Sequence, residues 1–136
     1  MKGALSTLAV AAAVLIVTSL PAEGHHSFAG SYDLSKQLNI KGKIVLVTLR
    51  SPHAFIYVDA EDAEGNRQRW ALEAVSGPQL AQGGVRAGTY VFGDPVEVVA
   101  NPARGGTTTG PEVRARLVRI TRTTDGKSWS MGGQTQ

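Results

Sequence analysis

Leu38-Asn39-Ile40-Lys41-Gly42-Lys43-Ile44-Val45-Leu46-Val47-Thr48-Leu49 is the longest strand signal in the chain, and its parity changes partway along. Leu38, Ile40, Ile44 and Leu46 fall on one parity, whereas Val45, Val47 and Leu49 fall on the other. Side chains of a strand alternate between faces, so a segment that moves its apolar set from one parity to the other carries a bulge or bend. The long first strand of a small barrel has to bend in this way, because it serves both halves of a closed sheet. Gly42 stands where the bend meets least resistance.

Downstream, the same alternation recurs and no stretch keeps a clean helical period. Ala54 to Asp59 reads as a second strand, Glu61 to Asn66 as an acidic, glycine-bearing turn, and Arg67 to Val75 as the return strand. Trp70, Leu72 and Ala74 on that strand are expected to face the core. Arg67, Arg69 and Glu73 face the other way, with Glu73 exposed or paired with Arg69 or Arg67. Ser76 to Gly93 contains Pro78 and a short Gln79-Leu80-Ala81-Gln82 piece suited to one or two helical turns. Gly93-Asp94 is a natural turn into a fourth strand, Val96 to Ala100. The glycine- and threonine-rich loop Asn101 to Gly110 then leads to a fifth strand, Val113 to Thr121. A long bent strand, a hairpin, a helical excursion and two more strands match an all-β, five-stranded, OB-like barrel over residues 37–127. An open five-stranded sandwich has the same spacing. Residues 128–136 read as a disordered tail.

The barrel is preceded by a different kind of sequence. Met1-Lys2 followed by the apolar run Ala4 to Val17 has the form of a signal peptide, and the run is shorter than the about 20 residues of a membrane span. Cleavage after Ala22-Glu23-Gly24 removes residues 1–24 and makes His25 the first residue; cleavage after Ala22 makes Glu23 the first. The chain has no cysteine, so neither a lipid-anchored lipoprotein nor a disulfide framework is available. A soluble periplasmic or secreted domain follows, with no membrane span after cleavage and an N-terminal arm over residues 25–36 that reads as extended, anchored by Phe28 and Tyr32. The net charge of +3 is mild, and with an exported location it argues against nucleic acid as a partner.

His25-His26-Ser27-Phe28, Leu38 with Gly42 and Val47, Pro52-His53, Val58-Asp59, Gly65, Trp70-Ala71-Leu72-Glu73, Gly93-Asp94 and Ala103-Arg104-Gly105-Gly106 together carry a resemblance. The chain resembles a family of small exported bacterial proteins of unknown function whose mature N-terminus is His-His-Ser-Phe and which carries an Asn-Pro-His corner. The resemblance spans residues 25 to 127. It departs at Ser51, where the family usually has asparagine, and at Leu49, where a tryptophan is common. It implies a periplasmic, barrel-like domain and brings no established activity.

The chemistry that the residues themselves point to rests on three histidines. If His25 is the first residue, its amine and imidazole chelate one metal together, His26 adjoins them, and His53 completes a T-shaped set of three nitrogens. Amine and imidazole donors in a plane suit Cu(II) or Ni(II), and copper is favoured. If Glu23 is first, histidine stands at position three, and amine, two deprotonated amides and imidazole again favour a square-planar ion. Zinc fits less well, because its structural sites draw on thiolates. The competing reading makes His25 and His26 a solvated arm and lets His53 merely hydrogen-bond a backbone carbonyl.

Other features are weaker. Asp59, Glu61, Asp62 and Glu64 lack the spacing of a calcium loop, and Gly105 to Gly110 lacks the lysine of a phosphate loop. No nucleophile elbow or paired acid and base is legible, so the expected class is a non-enzymatic binding module. Its partner would be a divalent metal ion or a small ligand. Two alternatives stand beside it. One is a barrel whose groove takes a glycan or anionic small molecule through Tyr57, Tyr90, Phe92 and a basic patch of Arg104, Arg114, Arg116, Arg119 and Arg122. The other is a structural accessory protein of the cell envelope.

Overall fold

A computed structural model describes residues 28–61, 64–106 and 111–132. Residues 1–24, read as a signal peptide, and His25, His26 and the last four residues, 133–136, lie outside the described residues. The elements are α1 (Phe28–Ser31), β1 (Leu38–Thr48), β2 (Phe55–Glu61), β3 (Arg67–Glu73), α2 (Gly77–Gln82), β4 (Pro95–Pro102), a 3₁₀ turn (Arg104–Gly106), β5 (Glu112–Arg122) and β6 (Ser128–Ser130). No helix among the described residues is long and apolar enough to cross a membrane.

The sheet runs β3-β2-β1-β4-β5-β6, and β5 returns to pair with β3, so the first five strands close into a barrel. Neighbours are antiparallel except at that seam, where β3 and β5 run parallel. This is the OB-like topology expected from the strand pattern, and closure rules out the open sandwich. The bend in β1 lies between Ile44 and Leu46. Ile44 faces Val58 and Leu46 faces Tyr57, leaving Val45 as the extra residue. Before the bulge Ile40 and Ile44 are buried; after it Leu46 turns outward and Val47 packs on the core.

Ile44, Ile56, Val58, Leu72, Leu80, Val96, Val98, Leu117 and Ile120 form the fully buried centre. Each such side chain contributes about 1.5–3 kcal/mol relative to exposure. Trp70 lies partly buried against this cluster. The helical excursion α2 starts at Ser76, whose hydroxyl accepts from the Gln79 amide while the Gln79 side chain accepts from the Ser76 amide. This reciprocal cap plugs the barrel with Leu80.

Three expectations need correction. Over Phe28–Ser31 the arm read as extended instead winds into the single turn α1, although Phe28 and Tyr32 do anchor it. Residues 128–130, placed in a disordered tail, form a strand: Ser128–Ser130 pairs with Arg119–Thr121, and Trp129 is buried. A strand this short carries no periodicity to read, and what holds it is the fit of Trp129 over Gly83, where a Cβ would come within 2.5 Å of the indole nitrogen. Tyr90 is in the core rather than in a groove, its hydroxyl donating to the carbonyls of Ile120 and Lys127 at 3.4 and 3.3 Å.

A candidate metal-binding corner at His53

His53 sits in the corner between β1 and β2, and the backbone on either side is held. Gly77 N donates to the Arg50 carbonyl at 2.8 Å, and the Ala54 amide and carbonyl bond Val75 and Ala74 at 3.0 and 2.9 Å. A Cβ on Gly77 would stand 3.0 Å from the Leu49 carbonyl carbon, so the corner closes tightly against the start of α2. His53 is thereby delivered to the end of β3 rather than to open solvent.

The imidazole Nδ1 lies 3.3 Å from the Ala74 carbonyl and 3.4 Å from Glu73 Oε1. Both neighbours are acceptors, so the proton of a neutral ring belongs on Nδ1 and the lone pair on Nε2. A carboxylate and a carbonyl behind one ring nitrogen are the usual way a metal-binding imidazole is oriented. The carbonyl bond foreseen as the plain alternative is therefore present, together with a carboxylate that gives it a second meaning.

Glu73 is the centre of a larger network. Tyr32 donates its hydroxyl to Glu73 Oε2, and Arg114 Nη2 donates to the same oxygen at 3.2 Å. Burial, then the bond to Glu73, pushes the Tyr32 hydroxyl far above its ordinary value, so it stays a donor. The expected pairing of Glu73 with Arg67 or Arg69 does not occur. Arg69 faces Asp59 directly across the β2–β3 hairpin and grips both its oxygens at 2.7 and 2.8 Å. That guanidinium holds the Asp59 carboxyl below its usual range.

The arm lies over this corner. In the single turn of α1, Tyr32 N donates to the Phe28 carbonyl at 2.7 Å, which puts both aromatic rings on one face. Phe28 meets His53 edge to face, with centroids 5.4 Å apart and planes at 77°. Behind Phe28 the Arg116 guanidinium lies 4.8 Å from the ring centroid. Arg116 also donates to Asn101 Oδ1 at 3.0 Å and reaches Met131 Sδ; its Nε is buried with no partner among the described residues. Desolvation lowers its pKa. Bonds from Asp33 N to the Pro102 carbonyl and from Arg104 Nε to the Ala29 carbonyl, 2.9 and 3.0 Å, stitch the arm to the end of β4. A cleft of about 250 Å³ between Ser31, Tyr32, Glu73, Arg104 and Arg114 borders the network.

The arginines read as one basic patch are thus mostly engaged, each with its own partner. Arg114 serves Glu73, Arg116 packs beneath Phe28, Arg104 holds the arm, and Arg122 clamps Asp94 and Asp125 at 3.0 and 2.6 Å. Of the three histidines proposed as ligands, only His53 falls among the described residues, and among those no group of three or more His, Cys, Asp or Glu is placed to hold a metal. Glu73 and Tyr32 were not foreseen as parts of the site. The available signal was a carboxylate closing the otherwise apolar run Trp70-Ala71-Leu72.

No curated protein and no solved structure matches the chain. Residues 12–112 match the family described as a family of unknown function, DUF6152, and the chain belongs to that family.

Proposed function

We propose that the protein is an exported, periplasmic or secreted, non-enzymatic module that binds a divalent metal ion, copper above others, through His53 and the histidines His25 and His26. One observation carries the reading: the Phe28 ring rests on the His53 ring. Phe28 is three residues from His25, and an extended chain covers at most about 3.6 Å per residue. The N-terminal nitrogens therefore start within about 11 Å of the backbone of Phe28. The orientation of His53 adds to this, since acceptors on Nδ1 leave Nε2 for a ligand bond. A nitrogen donor set without thiolates favours Cu(II).

The test is calorimetric titration of the exported protein with Cu(II), its first residue fixed by mass spectrometry, with electron paramagnetic resonance to count bound nitrogens. Submicromolar binding, weakened at least about tenfold by His53→Ala, is the expected result. Micromolar or weaker binding that is indifferent to His53→Ala would overturn the three-nitrogen site.

A further inference from the structure

The opposite end of the β1–β2 pair carries a second concavity, lined by residues that play no part in the corner just described. Gly42 faces Ala60 there. A Cβ on Gly42 would fall 2.3 Å from the Asp59 carbonyl oxygen, so glycine is required where the strands close. A cleft of about 590 Å³ opens between Lys41, Lys43, Asp59, Glu61, Arg67 and Phe92. That volume lies in the range of small-ligand sites, about 300–1,000 Å³.

Phe92 is 82% exposed, the largest exposure among the bulky apolar side chains described. It is nevertheless held on a braced turn. The Val91 amide donates to Asp94 Oδ2 at 3.0 Å and the Asp94 amide to the Val91 carbonyl at 3.1 Å. The Gly93 amide donates to the Ile44 carbonyl at 2.8 Å and the Ile44 amide to the Asp94 carbonyl at 3.0 Å, which ties the turn to β1. Arg122 Nη1 grips Asp94 from behind at 3.0 Å. An aromatic ring that is carried on a braced turn yet covered by nothing is available for stacking.

We infer that this cleft binds a short glycan, with Phe92 stacked on the apolar face of a sugar ring. The walls decide the class. They carry cations on Lys41, Lys43 and Arg67 and carboxylates on Asp59 and Glu61. A bare anion meets the two carboxylates, and an acyl chain strips water from five charged groups. A sugar hydroxyl both donates and accepts, so it satisfies either sign. The pairs Lys41–Glu97 and Asp59–Arg69 are partly exposed, and such ion pairs give way to ligand hydroxyls at small cost.

The experiment uses the full exported protein, isotopically labelled, with cellohexaose, chitohexaose and an oligogalacturonate as probes. Saturable shifts of the Gly42, Lys43 and Gly93 amides with at least one of them, weakened at least about tenfold in Phe92→Ala and retained in Phe92→Tyr, are expected. Absence of shifts with all three, or equal binding by Phe92→Ala, overturns the inference. The cleft and His53 lie at opposite ends of β2, about 20 Å apart by strand rise. Copper affinity therefore stays at its native level in Phe92→Ala, and the two readings fail separately.

Discussion

Glu73 accepts from a tyrosine and an arginine and lies 3.4 Å from an imidazole nitrogen, so its charge joins the arm, β5 and the β1–β2 corner. Glu73→Gln keeps the shape and removes the charge. Losing hydrogen bonds to a charged, half-buried group costs about 1.5–3 kcal/mol, to be read from urea unfolding. If His53 is a ligand, the same change lowers copper affinity by about 10–100-fold, measured by competition with a chelator. The sequence showed that Glu73 points away from the core; it did not show its partners. Asp59 already satisfies Arg69 across the hairpin, and Arg114 reaches Glu73 only through the parallel seam between β3 and β5, a contact between strands far apart in the chain. No local pattern encodes that pairing. His53 was legible because it follows Pro52 at a strand boundary, but the carboxylate behind it was not.

At the scale of elements, β1 to β5 were readable within a few residues because each alternates over a half-buried face, and the parity change in β1 announced a bulge, which falls at Val45 rather than at Gly42. β6 was missed because three residues cannot show a period. Its worth is testable: Trp129 is buried against Gly83, so Trp129→Ala should lower unfolding free energy by about 3–5 kcal/mol. A loss below about 1 kcal/mol would mean that β6 is a passive appendage. The clamp at the end of β5 was equally invisible, since Arg122 reaches Asp125 in the following turn but also Asp94, which immediately precedes β4 and is distant in the chain. Its bonds hold the Asp125 carboxyl down at about 2, and Asp94 lies below its ordinary range through the Val91 amide and Arg122. Carboxyls lowered in the folded state stabilise it above the unfolded value, about 3.9, and cease to do so as pH falls toward the folded value. The Tm advantage of the native chain over Asp94→Asn/Asp125→Asn should thus be full above about pH 5 and shrink between about pH 4 and 2. A difference that is independent of pH would show that the clamp acts through shape alone.

For the whole molecule, the barrel followed from the order of its elements: strand, hairpin, helix and two strands admit few closed connections. What function the barrel serves did not follow, because a fold carries many functions and only its sites distinguish them. Two places on this one differ in chemistry, a nitrogen and carboxylate corner and an aromatic cleft, and β2 separates them like the ends of a ruler. The seam between β3 and β5 has a further consequence. The closing partner of β3 is Glu112–Arg116, made after most of the chain, so a nascent or truncated molecule that stops short of Glu112 presents a bare row of backbone amides and carbonyls along β3. Any neighbour in the same condition offers the same row. Protection against self-association is thus conferred late, by the strand that finishes the ring.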